Sequence, residues 1–139
     1  METNLIFKKA AKMLLENGYR VIAWENDLYT QKYRKGDFVS IHFGKNEERK
    51  VGNISFDRIG GSIRFGLEYV PSKINGSGCT VFEGGEITMD EINRLMRSPY
   101  PKFIKGIKEY DGFESYAKEK LKFYDFMHEV KIGELEDLK

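Results

Sequence analysis

A single cysteine, Cys79, and two histidines are all the soft-ligand chemistry in 139 residues. One thiol cannot close an internal disulfide, and the set is too small for the Cys/His clusters that fold around zinc, so neither a metal nor a cofactor is expected. No apolar run approaches the roughly 18 to 20 residues that a membrane-spanning helix requires, and the mean hydropathy of -0.54 agrees. Charge of one sign is missing as well: 23 Lys and Arg stand against 22 Asp and Glu, for a net +1. No overall field therefore points to nucleic acid, an anionic membrane surface or an acidic substrate. The opening Met1-Glu2-Thr3-Asn4-Leu5 has neither the basic start nor the apolar run of a secretory signal, which makes the cytoplasm the expected location.

What the chain has is apolar and aromatic bulk. It is 40% hydrophobic and 14% aromatic, with ten Phe, eight Tyr and one Trp. That suffices for a core, and the length suits one domain spanning residues 1–139. Leu5, Ile6, Phe7, Ala10, Ala11, Met13, Leu14 and Leu15 share one arc of a helix whose other arc carries Lys8, Lys9, Lys12 and Glu16. Thr3 or Asn4 is placed to cap its start, and Asn17-Gly18 to close it. Tyr19 to Trp24 then reads as a strand apolar on both sides. Val39, Ile41 and Phe43 alternate on a second strand, Val51 to Asp57 forms a third, and Ile63, Phe65, Leu67 and Tyr69 alternate on a fourth. Cys79 to Phe82 offers a short fifth. The connections are too short for crossover helices, so the strands should run antiparallel.

Beyond residue 86 the pattern becomes helical. Thr88 and Glu91 form a capping box, with Ile87 and Ile92 as its hydrophobic staple. Ser98-Pro99-Tyr100-Pro101 breaks that helix. Asp111 and Glu114 suggest a second box, followed by Phe113, Tyr116, Ala117, Leu121, Tyr124 and Met127 at helical spacing to about Val130. Residues 131–139 have little to pack and should fray. The expected fold is α+β, an antiparallel sheet of four to five strands with an N-terminal helix and C-terminal helices packed on it.

Motifs for catalysis are scarce. Cys79, His42 and His128 are the only candidates for thiol or imidazole chemistry, and each fits a structural role as well. Asn75-Gly76-Ser77-Gly78 lacks the Gly-Lys-Ser/Thr ending of a phosphate loop and reads as a turn. Two stretches mix cations with rings, the pattern of a single-stranded nucleic-acid groove. Residues 28–35 hold Tyr29, Lys32, Tyr33, Arg34 and Lys35; residues 93–108 hold Arg94, Arg97, Lys102, Phe103, Lys105 and Lys108. The aromatic surplus points elsewhere, because so many rings are hard to bury in a chain this short. Trp24, Tyr100, Tyr110 and Tyr124 are the expected anchors for another protein or a second copy. The expectation is a non-catalytic protein that works by stoichiometric protein-protein association, as a regulatory, inhibitory or assembly factor. Nucleic-acid binding is the alternative, and a small enzyme with an unrecognised site the second.

Overall fold

A computed structural model describes residues 3–27, 29–48, 50–57, 62–68, 70–71, 78–82, 87–97, 107–108 and 112–138. Helix α1 (Thr3–Glu16) leads into β1 (Arg20–Glu25), β2 (Phe38–Gly44), β3 (Val51–Asp57), β4 (Ser62–Glu68), β5 (Val70–Pro71) and β6 (Gly78–Phe82). Then come α2 (Met89–Arg97), β7 (Ile107–Lys108), α3 (Phe113–Phe123), β8 (Met127–Glu129) and a 3-10 turn, η1 (Ile132–Leu135). The main sheet has the order β6-β4-β3-β2-β1-β8, every pair antiparallel, and β5 pairs separately with β7. The expected α+β arrangement is observed, with the five expected strands forming a consecutive meander and the three-residue β8 added at the edge.

Alternation decides which side chain meets which helix. Val21, Ala23, Ile41, Phe43 and Ile54 join Phe7, Ala10, Ala11 and Leu14 of α1 and Ile92 and Met96 of α2 in one buried cluster. Burying such side chains contributes about 1.5 to 3 kcal/mol each, which makes this cluster the main source of stability. The opposite face carries a smaller cluster, Ile22 and Val51 beneath Phe113, Tyr116 and Ala117 of α3, with Met127. Gly18 closes α1 at φ +85°, a conformation that favours glycine. The Thr88 hydroxyl accepts the Glu91 N–H at 3.2 Å, as the capping box requires.

Four local expectations are corrected. The closing helix stops at Phe123, and residues 127–129 pair with β1 as a strand, so His128 sits on a strand and not at a helix end. Ring-rich and β-branched residues obey either period here, and pairing with the open edge of β1 settles the choice. Asn4 does tertiary work instead of capping: its Oδ1 accepts the Phe38 N–H at 2.8 Å. At the start of α3 the cap position is Gly112, with no side-chain cap. Glu114 turns to Arg20 instead, and the Phe113 N–H goes to the Lys45 carbonyl; Asp111 lies outside the described residues. Finally, the tail does pack: Leu135 is buried with the α1 cluster, and Lys12 Nζ donates to the Leu138 carbonyl at 2.9 Å.

Candidate functional site

The end of β1 gathers the features that can act on another molecule. Tyr124 terminates α3, its N–H still bonded to the Lys120 carbonyl, and a turn carries the chain back so that the Phe126 carbonyl accepts the Glu25 N–H at 2.9 Å. This return brings Phe126 onto Trp24, with ring centroids 4.8 Å apart and planes at 25°. Tyr124 lies 6.3 Å from Trp24 and 5.2 Å from Phe126. The three rings form a stacked group that remains half open to solvent: Tyr124 is 38% exposed and neighbouring Phe123 69%. Lysines line the helix beside it, Lys120 Nζ 5.8 Å from the Tyr124 ring and Lys122 Nζ 5.8 Å from that of Phe123.

Trp24 also borders a groove of about 330 Å³ with Asn26, Asp27, Gln31, Val39, Ser40 and Phe56. The groove follows from an irregularity in pairing. Trp24 faces Ser40 but Glu25 faces Phe38, leaving Val39 as an extra residue on β2. A bulge of this kind lets two consecutive side chains serve one side of a strand end. The outer wall is the β1–β2 loop. Asp27 Oδ1 accepts the N–H groups of Tyr29 (2.9 Å) and Thr30 (2.8 Å), and Oδ2 accepts Arg34 at 3.0 Å. The Thr30 and Tyr29 N–H groups hold the Asp27 carboxyl down to about 2. Gln31, at φ +63°, donates its N–H to the Asp27 carbonyl. The loop is thereby shaped by its own polar groups while Tyr29 and Tyr33 point outward, 86% and 57% exposed.

Two histidine networks hold this region together. Glu25, 4% exposed, sets Oε1 2.5 Å from His128 Nδ1 and accepts the Gly36 N–H with its other oxygen. His128 Nε2 lies 3.0 Å from Glu134, so one imidazole links β1, β8 and η1. An imidazole between two carboxylates donates to both only in its protonated form. His42 is buried beneath α3, Nδ1 2.9 Å from the Tyr116 hydroxyl and Nε2 3.5 Å from Ser40 Oγ. That serine-imidazole distance exceeds the reach of about 2.6 to 3.2 Å for proton transfer, and a neutral hydroxyl orients the ring, which describes a satisfied buried histidine better than an activated nucleophile. By register Cys79 lies opposite Gly66, three strands from His42, or roughly 14 Å between backbones. Among the described residues no group of three or more His, Cys, Asp or Glu side chains is set to hold a metal ion, and no helix is long and apolar enough to cross a membrane.

Of the four aromatic anchors expected, Trp24 and Tyr124 meet in the stacked group, while Tyr100 and Tyr110 lie outside the described residues. The first basic stretch is the loop beside Trp24. Its Arg34 is held by Asp27 and Asp37. In the second, Arg94 pairs with Glu91, and Arg97 is close enough to Tyr19 to act on its hydroxyl, whose pKa burial above all raises. Tyr19 precedes β1, so Arg97 acts at the opposite end of the strand from Trp24, where the Tyr19 backbone is roughly 16 Å from that of Trp24. Lys102, Phe103 and Lys105 lie outside the described residues, and Lys108 is described only as the backbone partner of Val70. Sequence reasoning missed Phe126 as the third ring and Arg20 as a hub. Arg20 makes two parallel bonds to Glu129 (2.8 and 2.7 Å), reaches Glu114 and Asn46, and lies over Phe113.

The comparisons add no relative. The chain matches no protein-family model, no curated protein and no solved structure.

Proposed function

We propose that this protein acts without catalysis, by stoichiometric association with another protein, through the corner around Trp24. The observation that supports this reading most is the stacked group of Trp24, Phe126 and Tyr124, half open and continued along α3 by exposed Phe123 and Leu121. Rings that are already ordered against one another lose little freedom when a partner covers them, and Trp and Tyr are the residues that most often dominate interface energy. The polar network of Glu25 and His128 fixes the backbone beneath the rings and so presents a preformed surface.

A photo-crosslinking residue at position 123, introduced in the source cells, tests the reading. The expected result is one discrete adduct, with a partner or with a second copy, that is absent when the same residue replaces exposed Lys9 on α1. No adduct at 123, or the same ladder from both positions, overturns it.

A further inference from the structure

We infer that the Trp24 corner receives an acidic, extended segment of a protein partner, which seats one aromatic or branched aliphatic side chain in the groove. This inference rests on the association reading and goes beyond it by naming the chemistry of the ligand. A groove of about 330 Å³ is at the small end of ligand cavities, which suits a single side chain with its peptide groups and not a folded surface. Trp24, Val39 and Phe56 supply its apolar lining, beside the side chains of Asn26, Gln31 and Ser40 and the Asp27 carboxylate that Arg34 answers.

Charge selects the rest of the segment. Arg34 bridges Asp27 and Asp37, which leaves that trio with one net negative charge. Lys32 and Lys35, on the loop that walls the groove, and Lys120 and Lys122, beside the stacked rings, make no ion pair among the described residues. Four ammonium groups without an ion pair, against the one negative charge of that trio and exposed Asp125, leave the rim positive by two, which favours carboxylates on the partner. Single-stranded nucleic acid is the other anionic ligand with rings. It is disfavoured because Arg97 of the second basic stretch works at the far end of β1, and because Trp24, Tyr124 and Phe126 already stack on one another.

Trp24 is the only tryptophan, so its emission reports on the site directly. The probes are an acidic heptapeptide of Glu and Asp with one central Phe, the same peptide with Ser for Phe, the same peptide with Lys for every acid, and oligo(dT). The acidic Phe peptide should shift Trp24 emission saturably, with the Ser and Lys versions at least about tenfold weaker. Lys32→Glu with Lys35→Glu, or Lys120→Glu with Lys122→Glu, all exposed or half-exposed positions, should each weaken it about five- to tenfold, most at low salt. Equal binding of acidic and basic peptides, no peptide response, or tighter binding of oligo(dT) overturns the inference. If the adduct at position 123 forms while the acidic peptide binds no better than its basic counterpart, the ligand chemistry fails and association stands; if no adduct forms, association itself fails.

Discussion

Against the face of the sheet that carries α1 and α2, Phe7, Leu14, Ile41, Phe43 and Ile54 are fully buried and apolar, with the Glu25–His128 pair at its edge beside Phe38. Against the face that carries α3, the buried set is smaller and is interleaved with hydroxyl, imidazole and guanidinium groups, and it ends in rings that stay half in water. The dry face can be altered only at the expense of the fold. The wet face is also stabilised by its buried rings and by Arg20, but its outermost rings stay partly in water, so a binding role can reside there.

Substitutions on the two faces should separate these roles. The largest effect is expected at Phe43, fully buried, meeting Tyr19 edge-on at 5.7 Å and so close to β3 that a Cβ on Gly52 would come within 2.5 Å of its ring. Phe43→Ala should cost about 3 to 5 kcal/mol in denaturant unfolding; a loss below about 1 kcal/mol would mean that the dry face is not the stabilising one. Arg20→Met keeps an apolar stem over Phe113 and removes the guanidinium, for an intermediate loss of about 2 kcal/mol. It should also change the acid response. The Arg20 hydrogen bonds hold the Glu129 carboxyl below its ordinary value of 4.5. A depressed carboxyl stabilises the folded state above that value and loses this contribution as pH falls through the lower folded pKa. Melting temperatures should therefore fall less steeply below the ordinary carboxyl value in the variant than in the wild type. An equally steep fall would assign acid sensitivity to other groups. The smallest effect is expected at Phe123, where Phe123→Ser should leave stability within about 0.5 kcal/mol while abolishing partner binding; a large loss of stability would make the outer rings part of the core.

The parts of the fold that were legible are those written in local periods. Ile63, Phe65 and Leu67 could alternate only as a strand, the short connections forced an antiparallel meander, and Thr88 with Glu91 marked the start of α2. What was not legible depends on contacts between distant segments. Phe126, Met127 and Val130 fit a helix as well as a strand, and only the unpaired edge of β1 decides between them. Trp24 and Tyr124 could each be picked as rings without a place to go, yet neither their stacking nor the part of Phe126 in it has a local signal, since it follows from the turn after α3. The groove has the same origin: the extra residue at Val39 breaks no composition rule and shows only in the pairing of β1 with β2.

The three residues of β8 have a further consequence for life in a crowded solution. They cover the outer hydrogen-bonding groups of β1, whose Val-Ile-Ala-Trp run would otherwise be an apolar template for any passing strand. Glu129 and Lys131 then put charge where the ladder ends, so the shield does not itself invite an addition. A chain cut after Phe123 would lose this guard, along with Phe126 and His128, and would be prone to grow into fibres edge to edge.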